Sequence, residues 1–328
     1  LTEQDTIVFM KESNVIQNVS LSQRLGSETF KNRLEAQKEH SSEIYSGFGM
    51  TRFHPENMEL LAAALKVLLG WTHLERRATK NSQAFTITHR DFSFTTLPKP
   101  FEGFTILHLS DLHIEGFADG GEKLCGILES LPCDICVITG DFRFETSGPF
   151  DRCIALTRRL VGSIRCRYGI YGILGNHDFV EMTGGLEETG ITMLLNEHIR
   201  ITKKSSAIVL AGIDDPHFYR TGNIAGALDG VGQNDFIILL SHSPESYRHA
   251  SEKGVRLFLC GHTHSGQICL PGGIPIIVNA KAPRIFSRGS WNYLGMYGYT
   301  SRGIGSAGLP ARFNCTPEII IHRLLCAP

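Results

Sequence analysis

Apolar and polar positions divide the chain into a weakly patterned front section and a strongly patterned remainder. Residues 1–50 are polar, with helical character from Ser27 through Glu43 but few large apolar side chains, and they predict an accessory helix or a partly ordered extension. Residues 56–75 predict a stronger helix, because Met58, Leu61, Leu65, Leu68 and Leu69 recur at helical spacing. The alternation in Ala84-Phe85-Thr86-Ile87-Thr88 predicts a strand. Pro98 and Pro100 then punctuate the chain, which places a boundary between an accessory region, 1–97, and a core, 98–328, that an edge strand is free to cross.

From there onward short apolar runs alternate with helical patterns. Strands are expected over 104–109, 134–139 and 169–174, with helices near 120–129 and 150–164 between them. Further strands are expected over 207–211, 236–240, 256–259 and 274–278, separated by short helices and long loops. Strand and helix in alternation predict an α/β core.

Composition narrows the function classes. At 328 residues the chain has room for one large core plus an appendage. Lys plus Arg number 32 against 33 Asp plus Glu, and no continuous basic and aromatic track is evident, so nucleic acid is not an expected partner. No protein partner is indicated either. Nine Cys residues scattered from Cys125 to Cys326 predict reduced thiols in a cytosolic setting. Cys133 and Cys136 form a CxxC at the front of an apolar run and read as buried structural thiols. Lys66 interrupts the most apolar stretch, 60–71, well short of the ~20 residues that a bilayer helix needs. Trp71 with Arg76, Arg77 and Lys80 suits either lipid headgroups or packing on the core. The opening Leu1-Thr2-Glu3-Gln4-Asp5 is not a basic segment followed by an apolar core, so no signal peptide is expected there. The expected location is cytoplasmic, peripheral on the inner face of the cytoplasmic membrane.

The candidate chemistry sits just after the predicted strands. Asp111-Leu112-His113 follows the first, and residues two apart in extended chain face the same way, so carboxylate and imidazole can meet one ion. Gly140-Asp141 follows the second, where a carboxylate can bridge two cations and glycine permits a close turn. Gly175-Asn176-His177-Asp178 follows the third: Asn176 offers a neutral carbonyl, His177 can protonate a departing oxygen, and Asp178 can orient that ring. Ser241-His242 and Gly261-His262-Thr263-His264 follow two later strands. Singly, each fragment is explained by a turn or a salt-bridged polar group. Five such fragments at five strand ends supply a mixed oxygen and nitrogen donor set suited to Mn, Fe, Zn or Mg, without the thiolates of a closed structural zinc site. Two divalent metals are therefore expected, manganese ranked first.

These fragments, in this order, resemble the calcineurin-like metallophosphoesterase superfamily, whose pattern is DxH, GD, GNH[DE], an isolated His and GHxH. The resemblance covers most of residues 104–323 and implies a two-sheet α/β sandwich flanked by helices, here with an N-terminal helical extension. It implies one metal on Asp111, His113, Asp141 and His264, and another on Asp141, Asn176, His242 and His262, with Asp141 bridging. His177 would then serve the leaving group and Asp178 orient it. Residues 261–267 and 301–319 further resemble a bacterial membrane-associated branch that includes chlamydial-type UDP-2,3-diacylglucosamine pyrophosphohydrolases, although His177 stands where the proteobacterial enzymes for that step carry Arg. That branch implies attack at the α-phosphorus of a nucleotide-linked glycolipid, releasing UMP and 2,3-diacylglucosamine 1-phosphate for lipid A synthesis. Arg302 and Arg312 would be its phosphate contacts, with intramolecular salt bridges as their ordinary alternative. A generic membrane-associated phosphodiesterase or phosphatase is the competing enzymatic reading, and a non-catalytic metal-binding scaffold ranks below both.

Overall fold

The computed structural model describes residues 20–40, 71, 74–276 and 278–327. Two six-stranded sheets form its centre. The first runs β1 (Thr86–Phe94), β14 (Glu318–Cys326), β2 (Thr105–Leu109), β3 (Ile135–Thr139), β4 (Ile170–Ile173) and β5 (Ile191–Met193). The second runs β12 (Gly289–Tyr293), β13 (Met296–Thr300), β9 (Leu257–Cys260), β8 (Ile237–Leu240), β7 (Ser206–Gly212) and β6 (Glu197–Lys203). Strands β2 to β5 are mutually parallel, as are β7, β8, β9 and β13. Their carboxyl ends are thus gathered in each sheet, which is where loops of α/β proteins build sites.

The side-chain period of two explains the layering. Ile106, Ile135 and Val137 of the first sheet meet Ile238, Leu240, Leu257 and Leu259 of the second in one inner cluster. The intervening residues Leu107, Leu109, Cys136 and Ile138 face outward into a second cluster, and Ile237, Leu239, Phe258 and Cys260 into a third. Both faces of each sheet are therefore buried, which is why these strands read as continuous apolar runs rather than alternations. Fully burying one such side chain contributes about 1.5–3 kcal/mol.

Helices cover the outer faces. On the first sheet lie α4 (Glu122–Leu128), α5 (Asp151–Gly162) and α6 (Met182–Glu187); on the second, α7 (Ile224–Ala227) and α8 (Tyr247–Glu252). Helix α5, within the helix expected near 150–164, buries Cys153, Thr157, Leu160 and Val161. Ahead of the sandwich stand α1 (Leu21–Leu25), α2 (Ser27–His40) and α3 (Glu75–Ser82). Ser20 caps α1 in a reciprocal box with Gln23.

Several expectations change in detail. The strand expected over 84–88 runs over Thr86–Phe94, pairs along its length with β14, and forms the edge of the first sheet. Only Ile274–Pro275 of the strand expected over 274–278 is extended, and it pairs with Cys269–Leu270 as a separate hairpin, β10 with β11. Most of the helix expected over 56–75 lies outside the described residues. Among the described residues no helix is long and apolar enough to cross a membrane. Cys133 and Cys136 are buried and unpaired by disulfide, and burial pushes the Cys133 thiol up to about 12, as befits structural thiols.

Candidate metal centre

The five fragments meet at one edge of the sandwich, at the carboxyl ends of β2, β3, β4, β8 and β9. Close approach of loops from both sheets requires glycine. A Cβ on Gly140 would stand 2.7 Å from the Gly175 amide nitrogen and 2.8 Å from His242 Nδ1, and one on Gly261 would stand 2.3 Å from Asp111 Oδ2. Asp111, His113, Asp141, His262 and His264 all adopt left-handed backbone, with φ between 39° and 68°. Asp and His tolerate this region better than most residues, and such strain is held where surrounding structure over-determines it.

Asp141 is the hub. Its Oδ2 lies 3.4 Å from His242 Nε2, 3.6 Å from His113 Nε2 and 4.0 Å from His177 Nε2. Three triads have donor atoms within 4.8 Å of one another: Asp111, His113 and His264; His113, Asp141 and His177; and Asp141, His242 and His262. Asn176 Oδ1 joins the last at 2.9 Å from His242 Nε2. The side chains predicted as metal ligands are thus brought together, buried, in two groups joined through Asp141.

The donor set fits divalent cations because at three of the rings an outer partner turns a lone pair inward. His113 donates from Nδ1 to the Arg143 carbonyl at 2.6 Å, and His242 from Nδ1 to the Thr139 carbonyl at 2.8 Å, so each presents Nε2. His262 donates from Nε2 to the Asn279 carbonyl at 2.7 Å and presents Nδ1. Burial pushes His113 down to about 3 and His262 and His264 well down, leaving these rings neutral, as ligands must be; at His242 burial is outweighed by the charge of Asp141, which holds the ring well above its ordinary range, so a cation there must displace its proton. Burial also pushes Asp141 up, but the neighbouring rings, His242 foremost, outweigh it and hold the carboxyl well below its ordinary range.

Asp178 does not take the part expected of it. Its carboxylate accepts from the amides of Phe142, Arg143 and Gly175 at 2.9–3.1 Å and so braces two loops against each other. The ring of His177 is instead set by the Phe144 carbonyl, 2.9 Å from Nδ1. Arg302 and Arg312 are likewise engaged within the chain. Arg302 pairs with Glu318 at 3.0 Å, while Arg312, fully buried, lies 3.1 Å from His264 Nδ1 and also donates to the Gly303 and Gly305 carbonyls. Arg312 stands behind a candidate ligand as a support, rather than in front of it as an open phosphate clamp.

Supporting groups that sequence reasoning missed surround the centre. Ser110 donates to Asp111 Oδ2 at 2.6 Å, and Thr139 donates to Ser110 at 2.7 Å. The Thr139 hydroxyl has spent its proton, so His108 Nε2 must donate to it at 3.0 Å, and His322 Nε2 must donate to His108 Nδ1 at 3.2 Å. A line of hydrogen bonds therefore runs from the inner core to a ligand carboxylate. The Arg143 guanidinium holds the carbonyls of Ser147 and Gly148, fixing the loop that carries Phe144. His217 packs its ring 4.0 Å from that of His262 and meets Glu245 at 2.8 Å. A signal for His217 existed: Asp214-Asp215-Pro216-His217 also follows an apolar strand, β7.

Helix α2 closes the rear of the site. Arg33, fully buried, donates to Asp214 Oδ2 at 3.1 Å and to the Asp178 carbonyl at 3.0 Å, with its guanidinium 3.2 Å over the Tyr219 ring. Gln37 donates to Glu181 and accepts from the Val180 amide. Beside His113 a cavity of about 80 Å³ opens between Ser82, Gln83, Phe117 and Ser306.

Clustered oxygen and nitrogen donors at the carboxyl edge of a two-sheet sandwich define a metal-dependent hydrolase. Residues 104–266 match the family described as calcineurin-like phosphoesterase. The chain is 29% identical over 273 residues to "Uncharacterized metallophosphoesterase YkoQ" of Bacillus subtilis (strain 168), covering 81% of this chain and 98% of that one. It is 31% identical over 254 residues to "Uncharacterized metallophosphoesterase YkuE" of the same organism, covering 72% and 84%. A "Transmembrane protein with metallophosphoesterase domain" from Bos taurus is 29% identical over 255 residues, covering 71% of this chain and 55% of the bovine one. The chain belongs to the calcineurin-like metallophosphoesterase family.

Proposed function

We propose that the protein hydrolyses a phosphoric ester, as a phosphodiesterase or phosphatase, with Asp111, His113, Asp141, Asn176, His242, His262 and His264 holding two divalent cations. The observation that carries this reading is the convergence of three histidine Nε2 atoms within 4.0 Å of the single oxygen Asp141 Oδ2. Two cations held at such a site activate water at neutral pH and neutralise charge on the reacting phosphoryl group. The protein's own part is to fix the ligands by the outer hydrogen bonds and to bring His177 Nε2 to the same space, oriented by Phe144. From there His177 hands a proton to the departing oxygen.

A narrower reading, cleavage of UDP-2,3-diacylglucosamine, rests on the resemblance of residues 261–267 and 301–319 to that branch. The donor set and the likeness to proteins named only as metallophosphoesterases favour the broader one, because two cations can activate water without selecting the organic group on phosphorus.

Protein stripped of metal and reloaded separately with Mn, Mg and Zn tests both. A small diester, UDP-N-acetylglucosamine and UDP-2,3-diacylglucosamine are compared. Turnover of the small diester supports the broad reading, and UMP release restricted to the diacylated substrate supports the narrow one. Bound metal with no turnover of any ester sinks both in favour of a scaffold. His177→Ala is expected to keep its metal while losing about 10²–10⁴-fold in turnover.

A further inference from the structure

The hairpin of β10 and β11 carries an exposed apolar surface that the metal centre does not use. Leu270, Ile274 and Ile276 are each more than half exposed, and Ile285 is 72% exposed. Leu270 and Ile274 are cross-strand partners, joined by Pro271-Gly272-Gly273 with positive φ at both glycines. The Arg288 guanidinium donates to the Gly273 carbonyl and so ties the turn holding Ile285 to the hairpin. A two-stranded ribbon is marginal by itself in water. This one is rooted on the body through Cys269, whose amide donates to the Phe313 carbonyl at 2.9 Å, and through Asn314, which donates to the Cys269 carbonyl at 2.9 Å.

Charge says what covers that surface. From 253 through 317 the sequence contains no Asp or Glu, in a chain whose formal net charge is −1; of the Lys and Arg that fall there, Arg302 is paired with Glu318 and Arg312 is buried, which leaves Lys253, Arg256, Lys281, Arg284 and Arg288. Lys281, Arg284 and Arg288 are exposed and flank the aliphatic tips. Branched aliphatic tips with a cationic collar match a bilayer whose surface is anionic: the tips enter the acyl boundary and the collar meets phosphate. Single-stranded nucleic acid would ask instead for exposed aromatic rings on which bases stack. The described hydrophobic tips here are aliphatic.

We propose that the face formed by residues 270–276 and 281–288 docks on anionic phospholipid. The same segment reaches the site, since the Asn279 carbonyl accepts from His262 Nε2 at 2.7 Å and Lys281 donates its amide to Glu245. A docked protein thus holds its metal centre close to the lipid surface, suited to phosphate esters carried there. This deepens the hydrolase reading, but docking itself requires no turnover.

Flotation of the full chain with phosphatidylcholine vesicles, with and without phosphatidylglycerol, provides the test, alongside turnover of a soluble diester. Binding is expected only with phosphatidylglycerol and is expected to weaken as salt rises. Ile274→Ser with Ile276→Ser is expected to lower vesicle partitioning roughly tenfold, and Lys281→Glu with Arg284→Glu to abolish the preference for anionic lipid. Should those variants misfold, Ile274→Trp in a Trp71→Phe background keeps the question open to measurement through a blue shift of indole emission on vesicle addition. Vesicle binding that is unchanged in the hairpin variants, no binding by the parent chain, or an emission shift with single-stranded DNA but not with vesicles would each overturn the proposal. Loss of diester turnover with intact flotation would instead count against the hydrolase reading alone.

Discussion

Asp111 shows how burial and ligation compete at one carboxylate. Burial pushes it up to about 6, with the charge of Asp141 adding to the effect and that of His242 opposing it. A metal needs this group ionised, so below about pH 6 the cation held by Asp111 must displace a proton from the buried carboxyl. Metal affinity is therefore expected to fall more than tenfold per pH unit between pH 6 and 5, because the proton held by His242 is displaced as well, and calorimetric titration with Mn in buffers of different ionisation enthalpy would register the released protons. A fall of no more than tenfold per unit across that range, the part due to His242 alone, would remove Asp111 from the ligand set. The ligand types and their spacing were legible in the sequence, because each fragment directly follows an apolar strand. The partners that aim them were not: the carbonyls of Thr139, Arg143, Phe144 and Asn279 carry no side-chain signature, and Asp178 looked like a ring orienter only because it adjoins His177.

At the level of elements, helix α2 was legible as helical character from Ser27 onward, but the face it buries was not. Its buried stripe is Arg33, Ala36 and Gln37 rather than a run of large apolar side chains, so periodicity registers little. Strands β2, β3, β4, β7, β8 and β9 were readable because both of their faces are covered. Strands β6 and β12 have only partly buried patterns, β5 spans three residues, and β13 and β14 hide among mixed polar positions. The polar stripe of α2 has an energetic consequence. Arg33→Met would leave Asp214 buried without its cation, a loss of about 3–5 kcal/mol for a buried pair. Thermal melting should therefore show a large drop in midpoint, partly recovered in Arg33→Met with Asp214→Asn. An unchanged midpoint in the single variant would mean that α2 contributes little to holding loops 176–181 and 214–221.

Across the molecule, the candidate centre draws on three strand ends of the first sheet and two of the second, so cations bound there fasten the sheets together at that edge. Saturation at a hundredfold over the dissociation constant is worth about 2.7 kcal/mol per site. Chelation should lower the melting midpoint, and Asp141→Asn should remove most of the difference between metal-loaded and chelated protein. The order of strands in the first sheet bears on how the protein is made. Strand β14, the last one in the chain, lies between β1 and β2, which come from its first third. During synthesis β1 has no neighbour in the sheet until residues 318–326 leave the ribosome, and β2 presents one unpaired edge for the same interval. Folding of this half of the sandwich must wait for a contact spanning more than two hundred residues, a loop closure that slows assembly and leaves a sticky edge for chaperones to shield.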